Sequence, residues 1–129
     1  MMRKEINMKL NELINEVNQE QDLLQACHEL CENLTQALYA KWDHCKENGD
    51  YYSLKEGSKY IKIISNGNGG YNTSVWGFIN KSNKKFQYGD ILKAKSWASP
   101  ATNSARGNLL EGYDVQARPM RIYGPDYLI

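Results

Sequence analysis

Residues 73–80 read TSVWGFIN, and how this stretch is read decides the fold. β-Branched and aromatic residues fill it, which marks a central β-strand. Strand alternation puts Trp76 and Phe78 on one face, with Ser74 and Asn80 in the same register. Val75 and Ile79 fall on the other face, across Gly77. Both faces are apolar, so one reads as core and the other as a pocket or an interface. Gly77 leaves a gap that another backbone or a ligand can enter.

On its N-terminal side, SNGNGGYN at 65–72 is loop chemistry and the natural hairpin connection into this strand. It matches neither a GxxxxGK[ST] phosphate loop nor a GxGxxG turn. Tyr60–Ile63 is strand-like, and a short strand is expected around Phe86–Lys93 after the polar turn KSNKK. Met120–Tyr123 is expected as a last strand, limited by Pro119 and by Gly124-Pro125. Residues 5–47 contain neither Pro nor Gly and read as helix. Ile6, Leu10, Leu13, Ile14 and Val17 recur at helical spacing, followed by Leu24, Cys27, Cys31, Leu34, Leu38 and Cys45 close to a seven-residue repeat. NQEQD at 18–22 is either a turn between two helices, with Asn18 as N-cap, or the exposed side of one long helix. Gly49 suits a left-handed C-cap. A helix from Leu23 to Cys45 is about 34 Å long, more than a small sheet needs, so its apolar seam is expected to find a partner helix. The fold class is α+β: one or two N-terminal helices, then an antiparallel sheet of three to five strands in a single domain.

Charge divides that domain. The chain of 129 residues has net charge +1, but residues 1–50 hold five basic and ten acidic side chains, and residues 51–129 hold eleven and five. The basic half is the expected anion binder and the acidic half the expected oligomerisation element, the alternative being that the two halves simply attract each other. The polar start MMRKEINMKLNEL shows no apolar leader, and no stretch has the length of a membrane span. Together with three cysteines, an odd number, this predicts a cytoplasmic protein with reduced thiols.

Catalytic and metal chemistry find little footing. Cys27, His28 and Cys31 lack zinc-site spacing, because a helix turns His28 about 100° away from Cys27. Neither GxSxG nor HExxH occurs, and no spacing selects a pair among Glu56, Asp90, Glu111, Asp114 and Asp126. The expectation is a binding protein, not an enzyme, with no cofactor. Aromatics interleaved with cations suit a nucleotide or a single strand of nucleic acid. Trp76, Phe78 and Trp97 stand among Lys59, Lys62, Lys93, Lys95, Arg106, Arg118 and Arg121. In DILKAKSWASPATNSARGN (90–108), small residues precede Arg106, and Gly107-Asn108 tolerate positive φ after it. Arg106 then either meets a ligand's phosphate or closes the loop by pairing with a carboxylate.

GDILKAKSWASPATNSARGN (89–108), preceded by VWGFIN, resembles a pattern recurrent in small phage-encoded proteins: Gly-Asp-Ile, Lys-Ala-x-Ser-Trp, Pro-Ala and Ala-Arg-Gly-Asn. With the helical N-terminus and the chain length, it is similar to the Thoeris anti-defence sponge family. Those proteins sequester the cyclic ADP-ribose-type signal made by bacterial TIR-domain enzymes. The resemblance implies a non-enzymatic oligomer, a dimer or hexamer, in the cytoplasm of an infected bacterium. Its implied partner is a cyclic ADP-ribose isomer or another cyclic nucleotide, with no membrane and with nucleic acid the weaker class. It implies Arg106 against a phosphate and Phe78 or Trp76 against the base, with Trp97, Asn108, Arg118 and Arg121 as further candidates. The chain has no arginine between Arg3 and Arg106, so a lysine such as Lys59 would replace any earlier one. The alternatives are a small phage nucleic-acid-binding module and a host-factor-binding protein.

Overall fold

The computed structural model describes residues 2–127, with side chains from residue 10 onward. Helix α1 runs Met2–Lys41 without interruption, about 60 Å at the standard rise. NQEQD therefore stays helical, as five residues without Pro or Gly can. The helix does not continue through residue 47. Trp42 takes extended angles (φ −133°, ψ 95°), and a short helix α2, Asp43–Asn48, follows it. Gly49 closes α2 in the left-handed conformation, φ 76°.

Four antiparallel strands follow as a meander: β1 Tyr51–Glu56, β2 Tyr60–Gly67, β3 Asn72–Asn80 and β4 Ile91–Lys93, in that spatial order. SNGNGGYN forms the β2–β3 hairpin, its strands reaching Gly67 and Asn72. The strand expected from Phe86 is shorter, because the chain turns at residues 84–85 and 88–89 and Asp90 makes only an isolated bridge to Asn108. Gly89 N–H reaches the Asn80 carbonyl and Asp90 N–H the Gln87 carbonyl. Met120–Tyr123 is not a strand: Pro119–Ile122 forms a 3-10 turn started by the proline, whose ring presets φ and leaves no N–H for a ladder.

One face of the sheet is core. Ile61, Ile79 and Ile91 pair across β2, β3 and β4. They meet Leu23, Cys27, Leu30, Cys31, Leu34, Ala37 and Leu38 of α1 in one buried cluster. The seam expected to seek a partner helix thus packs on the chain's own sheet, since heptad spacing also builds a helix face that covers strands. Burial pushes the Cys27 and Cys31 thiols up to about 12 and that of Cys45 to about 11. Leu10, Leu13, Ile14 and Val17 lie beyond the sheet and are exposed.

A β-bulge corrects the reading of TSVWGFIN. Ile63 faces Gly77 and Ile64 faces Val75, so Trp76 has no partner on β2. The extra residue breaks the alternation. Trp76 joins the core cluster with Ile79, and Phe78 does not. The indole of Trp76 donates to the Arg121 carbonyl at 2.6 Å and meets Tyr113 edge-on. A Cβ on Gly77 would stand 2.9 Å from both the Leu92 carbonyl oxygen and Pro125 Cγ. Backbone and a buried proline, rather than a ligand, fill that gap.

Candidate functional site

The sheet face opposite the core carries charge on an aromatic floor. Lys55 of β1 pairs with Lys62 of β2, Lys62 with Phe78 of β3, and Phe78 with Leu92 of β4. Directly opposed residues share a face, so these four form one row, and Tyr60 lies two residues from Lys62 on the same side. Tyr60 meets Phe78 edge-on, with centroids 5.9 Å apart. Lys62 Nζ sits 4.3 Å from the Trp97 ring centroid and 5.8 Å from that of Phe78, a cation between two rings.

Trp97 owes its position to a serine turn. Lys95 and Ser96 N–H groups both reach the Ser99 carbonyl, and the Ser96 and Ser99 hydroxyls lie 3.0 Å apart. The indole is held outward and half-exposed. A groove of about 260 Å³ opens beside the row, bordered by Lys55, Lys59, Tyr60, Lys62 and Phe78. Its one carboxylate, Glu56, is engaged by Lys81 at 2.9 Å. Among the described residues, Lys55, Lys59 and Lys62 form no ion pair. The groove therefore presents the exposed ammonium groups of Lys55 and Lys59, with that of Lys62 held between two rings.

The structure places Lys59 and Phe78 on the groove and Trp97 beside Lys62, and the other candidates lie elsewhere. Trp76 is core. Arg106 is half-buried and, among the described residues, pairs with no carboxylate. Its Nε donates to the Ser104 carbonyl (3.2 Å), Nη1 to the Asp126 carbonyl (2.9 Å) and Nη2 to Asn103 Oδ1 (3.2 Å). Asn108 is equally occupied, donating to the Tyr88 carbonyl and Asp90 Oδ1 and accepting from Leu110 N–H. Arg121 grips both Asp126 oxygens (3.1 and 2.9 Å) over the Tyr113 ring. Its guanidinium holds the Asp126 carboxyl below the usual range, and the same hydrogen bond raises Arg121. Arg118 is exposed, 4.0 Å from Asp126. It borders a second cleft of about 430 Å³ with Lys93, Met120 and Tyr127.

Sequence reasoning missed Lys55 and Tyr60, and left Lys62 as one basic residue among several. Their signal was present in YYSLKEGSKYIKI: Tyr60 and Lys62 alternate with Ile61 and Ile63, which marks the face opposite the core. Among the described residues no group of three or more His, Cys, Asp or Glu stands ready for a metal ion. None of their helices is long and apolar enough to cross a membrane.

No curated protein and no solved structure matches the chain. A family model does match, over residues 9–119, which takes in most of α1, all four strands and the Trp97 and Arg106 loops. The chain belongs to that family, a family of unknown function (DUF7717).

Proposed function

We propose that this protein is a non-catalytic binding module for a small anionic ligand of the nucleotide class, held on the outer face of the sheet. The observation that carries the reading is the row Lys55–Lys62–Phe78 with Trp97 above Lys62. Ammonium groups on a low-dielectric aromatic floor attract phosphate, and an exposed indole offers a π-face to a base. No paired general acid and base borders the groove, since its one carboxylate is held by Lys81. That suits retention of a ligand over its turnover.

The narrower form of the reading is sequestration of a cyclic ADP-ribose-type or cyclic oligonucleotide immune signal by a phage protein in the bacterial cytoplasm. Calorimetry against cyclic ADP-ribose isomers and cyclic di- and trinucleotides tests it, with mass spectrometry of the species released on heating. The expected result is binding with recovery of the intact ligand, weakened roughly tenfold to a hundredfold in Trp97→Ala and in Lys62→Ala. Binding unchanged in both variants, or recovery of a cleaved nucleotide, sinks the reading. The exposure of Lys55 and Lys59 on the groove's rim favours one alternative, a single strand of nucleic acid. A salt-sensitive gel shift without nucleotide binding would select it.

A further inference from the structure

Side chains 10–22 of α1 are exposed throughout, and among the described side chains of the helix the first buried on the sheet is Leu23, while the Tyr88 hydroxyl donates to the Gln19 carbonyl. The part of α1 before this contact, residues 2–18, is about 26 Å of helix at the standard rise. A helix of that length, rich in Asn, Gln and Glu, is marginal alone in water and needs packing against its apolar face. Leu10, Leu13, Ile14 and Val17 supply such a face, each at least half-exposed.

Two features of the sequence along α1 identify what covers it. The first is a change in one flank of the stripe. Where the sheet covers the helix, the buried face includes Leu23, Leu30 and Ala37, spaced by seven. Seven and fourteen residues before Leu23, the same helical position holds Glu16 and Lys9. That flank of the stripe thus turns from apolar to charged, while Ile14 extends the seam on the opposite flank beside Leu13, a pattern that fits packing on another helix. The second is self-complementarity. Ile6, Leu10, Leu13 and Val17 are spaced four, three and four. Reversal about the midpoint between Asn11 and Glu12 maps Ile6 onto Val17 and Leu10 onto Leu13.

We propose that two copies of this chain pair through the projecting part of α1, antiparallel and two-fold symmetric about that midpoint. In this arrangement Arg3 falls level with Glu20 of the partner subunit. Lys9 falls within two residues, about 3 Å along the axis, of the level of Glu16 of the partner subunit. Residues 10–22 carry Glu12, Glu16, Glu20 and Asp22 and no basic residue, whereas Arg3, Lys4 and Lys9 precede them. A parallel pair would set each of these charges beside its own copy, which disfavours that orientation. The antiparallel pair is isologous and closed, so assembly stops at two.

Sedimentation of the full chain reads the result directly. The wild type is expected at twice 14.8 kDa, and Leu13→Glu at the monomer mass with unchanged tryptophan fluorescence and thermal unfolding of the sheet. Disulfide trapping reads the orientation. A mixture of Lys9→Cys and Glu16→Cys chains is expected to cross-link, while neither variant cross-links with itself. A wild type that stays monomeric at hundreds of micromolar overturns the proposal. So does a trimer or larger assembly, a dimer that survives Leu13→Glu, or preferential self-cross-linking of each cysteine variant.

Discussion

Arg106 shows how much a side chain's role depends on acceptors that residue types do not announce. Two of its three contacts are to the backbone carbonyls of Ser104 and Asp126, and its own N–H pairs with the Ile91 carbonyl. The small residues before it were legible as a run that gives the backbone room. The use of that room, folding the loop onto β4 and toward the C-terminal segment, was not, because a backbone oxygen has no letter in the sequence. Arg106 is thus a clamp. Arg106→Ala is expected to lower unfolding free energy by about 1–3 kcal/mol, the range for a partly buried set of charge-assisted hydrogen bonds. Ligand affinity is expected to stay near the wild-type value. Urea unfolding together with calorimetry checks this, and a large loss of affinity at unchanged stability would return Arg106 to the binding site.

At the scale of elements, α1 was readable because it contains no Pro or Gly and keeps its apolar spacing through NQEQD. What covers its seam was not readable, since a face that packs on strands and one that packs on a helix share the heptad spacing and differ in their flanks. The difference in environment separates two leucines. Leu34 is fully buried, whereas Leu13 is more than half-exposed. Leu34→Ala is expected to cost about 2–5 kcal/mol through lost burial and the cavity left behind. Leu13→Ala is expected to leave the unfolding of the α1–sheet core nearly unchanged, and to act only on self-association. Parallel urea titrations at low protein concentration compare the two. Equal losses would mean that residues 10–22 pack on the core in solution. Strand β3 taught the reverse lesson. Its existence was plain from TSVWGFIN, but one bulged residue sent Trp76 to the helix-side core, while Phe78 is buried on the opposite face. Assigning faces from alternation fails wherever a ladder gains a residue.

For the molecule as a whole, the acidic half of the sequence forms the helices on one side of the sheet, while the basic half supplies the sheet and its loops, with only Lys55, Lys59 and Lys62 gathered on the groove. The C-terminal segment, read from sequence as a last strand, binds the parts together instead. Tyr52 donates its hydroxyl to the Ile122 carbonyl, Trp76 its indole N–H to the Arg121 carbonyl, and Arg106 reaches the Asp126 carbonyl. Trp42, at the break between the helices, donates to the Tyr123 hydroxyl at 2.9 Å. Pro125 is fully buried and sits where a side chain on Gly77 would be. Gly77 is therefore the point at which the sheet admits this segment. In Gly77→Ala the new methyl would lie 2.9 Å from a strand carbonyl oxygen and 2.9 Å from the proline ring. Neither is the free end of a flexible chain, so one of them has to move. The proline segment is held by side-chain contacts, and the Leu92 carbonyl by its place in the sheet, so the segment yields first. The expected result is a loss of about 1–3 kcal/mol from overpacking, with protease cleavage between residues 115 and 127 appearing before the sheet unfolds. Loss of stability without that early cleavage would mean that β4, and not the C-terminal segment, gives way.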